Sequence, residues 1–261
     1  MPLLSVRGLD VAVAGRTLVR GLDLQVGGGD TLAILGRNGS GKSTLLHTLA
    51  GLRPPAAGSV EMCGSPYAEH AERAAARLRG LLTQTQVDAF PATVLETALI
   101  GRHPHLGRWA WEGAADEKIA RAALAAAGLA GLEQREVHTL SGGERQRLAI
   151  ASLLTQQPLL YLLDEPLAHL DLNHQIAMLD LTRRYAADSG AGFVTVLHDV
   201  NLALRYCRRA LLLYGDGRWR EGPVNEILTA PTLSELYAHP MRELHDGHAA
   251  NDNAARYFIA L

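Results

Sequence analysis

The sequence predicts an α/β fold around a buried parallel sheet, and three observations predict it. Leu159-Leu160-Tyr161-Leu162-Leu163 and Phe193-Val194-Thr195-Val196-Leu197 are continuous apolar runs, the pattern of strands covered on both faces. Residues 31–35 form a third short run rich in β-formers. It enters a glycine-rich loop and then a helical stretch with leucines on one face.

Each element can be justified in order. Residues 3–26 alternate apolar and polar positions, which predicts antiparallel strands at Leu4-Ser5-Val6, at 9–13 and at Leu22-Asp23-Leu24-Gln25-Val26. Gly27-Gly28-Gly29-Asp30 is a turn into the central strand. The helix over 42–50 buries Leu45, Leu46 and Leu49 and stops at Gly51. Ser59-Val60-Glu61-Met62 reads as a strand, 68–79 as a helix, and Gly80-Leu81-Leu82-Thr83-Gln84 as a strand ending in an amide. Residues 85–135 read as mostly helical, with 114–127 stopped by Gly128. Ser141 and Glu144 stand in N-cap and N3 relation, so a helix begins near Gly142. The run at 159–163 ends in Asp164-Glu165-Pro166, and the run at 193–197 ends in His198-Asp199. A helix is predicted over 176–185. Asp216-Gly217 between 210–214 and 218–220 is a hairpin signal. Residues 225–228 and 233–237 read as helical, and 247–253 as a polar, loose tail.

Composition narrows the function classes. The chain has 261 residues, 48% hydrophobic and 20% charged, enough for a full core. A net charge of −2 argues against broad nucleic-acid binding. Two cysteines, Cys63 and Cys207, are too few for a disulfide framework; a reducing compartment and buried structural roles are expected. No signal peptide and no stretch of about 18 apolar residues is read, so work at a membrane requires a partner.

Residues 36–43 fit G-x-x-x-x-G-K-[S/T]. Gly36, Gly39 and Gly41 let backbone N–H groups face a phosphate, Lys42 brings a positive charge to the β- and γ-phosphates, and the Ser43 hydroxyl suits Mg²⁺. The helix that follows aims its positive end at the same anion. The chain is therefore expected to bind a nucleoside triphosphate. Asp164 and Glu165 fall at the carboxyl edge of the sheet, where α/β proteins place ligands. The helix start at Ser141 offers a second anion site.

Together these pieces resemble the ATP-binding-cassette ATPases over about residues 3–230. Gly36, Arg37, Asn38, Gly39, Ser40, Gly41, Lys42, Ser43 and Thr44 look like the Walker A motif. Leu140-Ser141-Gly142-Gly143-Glu144 looks like the signature motif, and residues 159–165 like Walker B followed by the catalytic glutamate. Gln84 matches the Q-loop, Ala168-His169-Leu170-Asp171 the D-loop, and His198 the switch histidine. The resemblance implies a P-loop NTPase with a RecA-like core, an N-terminal antiparallel β subdomain and an inserted α-helical subdomain. It implies one domain over 1–261, with the nucleotide-binding core at 1–84 and 155–230, the helical subdomain at 85–154 and a C-terminal extension at 231–261. It further implies ATP and Mg²⁺, with Ser43 and Gln84 as nearer metal ligands and Asp164 acting through the second shell. Glu165 would orient or deprotonate the attacking water and His198 would contact the γ-phosphate. Two copies would pair head to tail, with Ser141, Gly142, Gly143 and Glu144 of one completing the site of the other. Two positions depart from the pattern. Val13 stands where an aromatic ring usually stacks on adenine, a contact worth about 1–3 kcal/mol, so weaker nucleotide affinity is expected. Ala168 stands where Ser is common.

Within the family, Phe90-Pro91-Ala92-Thr93-Val94-Leu95-Glu96-Thr97-Ala98-Leu99-Ile100-Gly101-Arg102-His103-Pro104-His105 looks like the importers of metal chelates, as do Asp171-Leu172-Asn173-His174-Gln175 and His198-Asp199-Val200-Asn201-Leu202-Ala203. The resemblance implies two copies of a multi-spanning permease contacted near the Q-loop, at about residues 84–110, a periplasmic binding protein acting indirectly, no nucleic acid, and a place on the cytoplasmic face of the bacterial inner membrane. Trp109 and Trp111 are expected either to anchor that contact or to pack inside the helical subdomain. Cobalamin is the preferred cargo, with ferric siderophore or haem as alternatives. Outside transport, a soluble cluster-assembly cassette is the closest rival; a P-loop kinase is disfavoured by residues 140–144. His239, His245 and His248 read as a solvated tail rather than a metal site.

Overall fold

A computed structural model describes residues 1–84, 91–107, 109–245 and 256–261. Leu4–Val13 (β1) and Arg16–Val26 (β2) pair antiparallel, with Leu4 opposite Val26 and Val13 opposite Arg16. The sequence broke the first of these in two and started the second only at Leu22. The strands run on because their irregularities are bulges: Gly8 (φ +53) and Gly21 (φ +59) reach a region costly for other residues. Their N–H groups donate to Asp23 at 2.8 Å and Asp10 at 2.7 Å instead of to the ladder. The turn between the strands, Ala14-Gly15, has positive φ at both residues, as a two-residue hairpin turn requires.

Thr31–Gly36 (β3) is buried throughout and feeds Lys42–Leu49 (α1). Ala57–Met62 (β4) adds antiparallel to β1, and Ser65–Pro66 (β5) to β4. Glu72–Leu78 (α2) is shorter than expected because the chain turns extended at Arg79, opening Arg79–Leu82 (β6). Val94–Leu99 (α3), Ala114–Ala126 (α4) and Gly142–Gln156 (α5) follow. Then come Leu160–Leu163 (β7), Leu172–Ser189 (α6), Gly192–Val196 (β8), Val200–Tyr206 (α7), Arg209–Leu213 (β9) and Trp219–Pro223 (β10). Helix α6 starts four residues before its expected position, because the Asp171 carboxylate caps it by accepting from His174 N at 2.9 Å. Val224–Ile227 (α8) and Ala230–Tyr237 (α9) lead to Met241–His245 (β11), which pairs antiparallel with Arg256–Ala260 (β12). That closing hairpin was not anticipated. The tail read as loose, 247–253, lies outside the described residues, as does His248.

The main sheet runs β10-β9-β3-β8-β7-β6, parallel from β9 to β6 with β10 antiparallel at one edge. A four-stranded sheet, β2-β1-β4-β5, lies over one face. Alternation along β3 splits the core. Leu32 and Ile34 join Leu45, Leu46 and Leu49 of α1 and the apolar face of β1 and β2. Ala33 and Leu35 join α7, α8, α9 and Phe258 of β12. A third cluster ties α3, α4 and α5 to β6, β7 and Phe193.

Candidate active site

Parallel register decides what meets. Leu82 pairs with Leu163, Leu163 with Thr195, and Ile34 with Val196. The chain comes out of the sheet at one edge, with Gly36 at the end of β3 and Gln84, Asp164-Glu165 and His198 just past the ends of β6, β7 and β8.

At the end of β3 the chain turns back, with Ser40 N donating to Arg37 O at 3.1 Å. Gly41, the residue before α1, sits at φ +98, where a Cβ would also stand 2.9 Å from Leu18 Cβ. Only glycine fits the turn that aims α1 at the cleft. Lys42 is buried, and its Nζ donates to the carbonyls of Gly36 at 2.9 Å and Arg37 at 3.1 Å. Burial lowers its pKa, while the Glu165 and Asp164 charges oppose that shift.

The carboxylates differ in setting. Asp164 is 2% exposed, and its Oδ1 is buried with no hydrogen-bond partner. Burial pushes its carboxyl above the usual aspartate range, more than the Ser43 hydroxyl lowers it. Glu165 stands at φ +50, a costly conformation for a side-chain-bearing residue and one found at functional sites. Gln84 Nε2 donates to its Oε2 at 3.0 Å, and His198 Nε2 lies 2.7 Å from its Oε1. Asn38, Gly39, Gly41, Lys42, Ser43, Thr44, Gln84, Glu165 and His198 line one open cleft of about 420 Å³. Of the other expected residues, Gly36, Ser40 and Asp164 are buried and Arg37 is exposed, and none of the four lines the cleft.

These donors fit a magnesium–nucleotide pair. An unpartnered buried carboxylate oxygen beside a hydroxyl and an amide oxygen is the donor chemistry of a hard cation that keeps its waters. The lysine and the free N–H groups of α1 suit phosphate.

The other expected residues stand apart from the cleft. Ser141 and Glu144 form a reciprocal capping box, Ser141 N to Glu144 Oε2 at 2.7 Å and Glu144 N to Ser141 Oγ at 3.2 Å, which holds the Glu144 carboxyl below its usual range. A Cβ on Gly143 would stand 3.2 Å from His169 O, so the start of α5 packs on the loop before α6. Gln146 Nε2 ties that helix to Pro166 O at 3.0 Å. Asp171 is engaged with His174, whose backbone N–H keeps its carboxyl low. Val13 is 38% exposed at the tip of β1. Trp109 and Trp111, 87% and 89% exposed, rim a groove of about 550 Å³ with Pro104 and Leu106 instead of packing inside the helical layer.

Cys63 and Cys207 are free thiols, each pushed up by desolvation, Cys207 to about 12. His239 binds the Leu261 carbonyl at 2.9 Å and His245 lies 3.4 Å from Glu243. Among the described residues no group of three or more His, Cys, Asp or Glu is arranged to hold a metal, and no helix is long and apolar enough to cross a membrane. Sequence reasoning did not single out His47, whose Nε2 is buried without a hydrogen-bond partner in the chain. The available signal was its place four residues after Ser43, on the same helix face.

Known proteins resemble this chain. The family described as ABC transporter matches residues 19–168. The hemin import ATP-binding protein HmuV of Gloeobacter violaceus is 44% identical over 240 residues, 89% of this chain and 86% of that protein. The cobalamin import ATP-binding protein BtuD of Halobacterium salinarum is 38% identical over 235 residues, 90% of this chain and 58% of that protein. A solved structure assigned to the metal-chelate type of ABC transporter, in an inward-facing conformation, superposes with a TM-score of 0.85 at 30% identity, over 100% of this chain and 97% of the other.

Proposed function

The chain belongs to the ABC transporter ATP-binding family, and from that premise we propose that it is the ATP-hydrolysing subunit of a metal-chelate importer. The observation that carries the catalytic reading is Glu165, held at the cleft by Gln84 on one oxygen and His198 on the other.

The geometry at the cleft supports the following roles. Residues 36–44 wrap the phosphates, with Lys42 neutralising β- and γ-phosphate charge. Ser43 and Gln84 would hold the metal, with Asp164 orienting its shell, and the metal would supply charge neutralisation on the phosphates. Glu165 orients the attacking water and accepts its proton, and His198 reports the γ-phosphate to the rest of the chain. Ser141, Gly142 and Gly143 stand away from this cleft. Their helix start is therefore assigned to the ATP of a second copy, in a head-to-tail homodimer where Asp171 also sits near the junction.

The division into a core (1–84 and 155–230), a helical subdomain (85–154) and an extension (231–261) belongs to the same reading. The groove rimmed by Trp109 and Trp111 is the proposed seat of the permease pair. From the stretch 84–110 its lining takes His103, Pro104, Leu106, Gly107, Trp109 and Ala110; residues 85–90 and 108 lie outside the described residues. Rigid, amphipathic tryptophans suit an interface core. The chain then works on the cytoplasmic face of the bacterial inner membrane, with a periplasmic binding protein acting through the permease. For the cargo, the names of relatives favour a haem-type chelate over the cobalamin expected from sequence, 44% against 38% identity; cobalamin is the second reading.

The test is affinity purification of the chain from gently solubilised native membranes, with partners identified by mass. A polytopic partner is expected. Recovery with soluble proteins alone would move the reading to a cluster-assembly cassette.

A further inference from the structure

We propose that Asn201 is a positioning residue for His198: its side-chain amide ties the first turn of α7 to the C-terminal strand β12, and that tie aims the histidine at the nucleotide cleft. The inference rests on the reading of His198 as the group that reports the γ-phosphate.

Of the run His198-Asp199-Val200-Asn201-Leu202-Ala203, only His198 lines the cleft. Asn201 is engaged elsewhere. Its Nδ2 donates to Phe258 O at 3.1 Å, and its Oδ1 accepts from Phe258 N at 2.7 Å. One amide thus takes both backbone groups of one residue, as a neighbouring strand would. Aspartate in its place lacks the donor, and leucine lacks donor and acceptor alike.

His198 stands between two anchors. On one side, Leu197 N donates to Ile34 O at 3.1 Å, which fixes the end of β8 against β3. On the other, the Asp199 carboxylate caps α7, accepting from Asn201 N at 2.7 Å and Leu202 N at 3.2 Å, and Asn201 holds that same turn to β12. Packing supports the second anchor: Phe258 is 3% exposed and shares a core cluster with Leu197, Val200, Ala203 and Leu204. The His198 side chain is 51% exposed, so its own packing does not aim it at Glu165 Oε1, 2.7 Å away. The path of its backbone between the anchors does. Misplacing a group by about 1 Å, even from afar, can cost about 100-fold in rate.

The plainer role for Asn201 is to fasten the closing hairpin. That hairpin has other fastenings. Arg256 donates to Asn225 O at 2.9 Å and Leu228 O at 2.8 Å, and its Nε pairs with Glu243 at 2.7 Å. The hairpin is therefore held on α8 without Asn201, and the amide pair constrains α7 against a part already fixed.

The experiment labels the histidines of the full chain with carbon-13 and follows the ring signal of His198 by NMR. That signal is identified among the eleven histidines by its absence in His198→Gln. A non-hydrolysable ATP analogue with Mg²⁺ is added to saturation, and ADP with Mg²⁺ to a second sample. In the parent the analogue should shift the signal and ADP should leave it in place. Asn201→Leu removes both bonds and leaves residues 36–44 untouched, so the analogue should still bind while the analogue-specific shift is lost. Where Asn201→Leu does not bind the analogue, the isosteric Asn201→Asp decides, with the same loss expected. An unchanged shift in the deciding variant overturns the inference alone and leaves Asn201 a fastening for the hairpin. If neither variant binds the analogue, Asn201 is a folding residue and the inference fails. A parent whose His198 signal answers the analogue and ADP alike overturns the γ-phosphate reading and this inference with it.

Discussion

His198 Nε2 and Glu165 Oε1 stand 2.7 Å apart at the ends of two neighbouring parallel strands, β8 and β7. Thirty-three positions separate them in sequence, and the strand register alone brings them together. Gln84, from the far edge strand β6, takes the other carboxylate oxygen. Glu165 is thus gripped by one residue on each side while its own backbone sits at φ +50. A carboxylate held this way is pre-positioned, and its neighbours can sense whatever replaces those contacts.

Glu165→Gln keeps the size and the hydrogen-bonding shape but removes the base. Nucleotide binding should persist and hydrolysis should fall by at least about 100-fold. The variant should elute as a dimer in saturating ATP with its membrane partner supplied. A monomer under those conditions would remove the head-to-tail arrangement.

Lys42→Ala deletes charged hydrogen bonds worth about 1.5–3 kcal/mol, so ATP affinity should fall roughly 10- to 100-fold in an equilibrium titration. Unchanged affinity would show that the glycine-rich turn is only a connector.

Asp164→Asn tests stability and metal together. Burial raises the folded pKa of Asp164 above the ordinary 3.8, so folding disfavours its ionised form. That cost is absent at pH values well below 3.8, grows as pH rises above that ordinary value, and is complete once pH exceeds the raised folded pKa. The asparagine removes it while keeping nearly the same shape. At pH 7 without nucleotide the melting temperature should rise, by roughly 2–4 °C for each kcal/mol recovered, and the gain should shrink as pH falls toward the aspartate range. The same variant should need more Mg²⁺ to bind nucleotide. A lower melting temperature at pH 7 would mean that the carboxylate is a net stabiliser and that its burial has been misjudged.

The sequence by itself determined what short-range chemistry controls. The phosphate loop, the capping box at Ser141 and Glu144 and the apolar runs at 31–35, 159–163 and 193–197 depend on residues within one or two turns of each other. They could be placed with their chemistry intact. Where a local signal was atypical it misled: the Ala14-Gly15 turn lacks the usual asparagine or aspartate, and the bulges at Gly8 and Gly21 mimic strand breaks. Only the tertiary structure decided what depends on register and packing. Parallel pairing of β6, β7, β8 and β3 gathers Gln84, Glu165, His198 and the phosphate loop at one edge. Packing against the sheet buries His47 Nε2 and Asp164 Oδ1, and it leaves Trp109 and Trp111 on the surface. Pairing of β11 with β12 brings Phe258 into the core beside α7, a contact between residues too far apart for any local pattern to encode. Burial is a property of the assembled layers, so no stretch of sequence carries it alone.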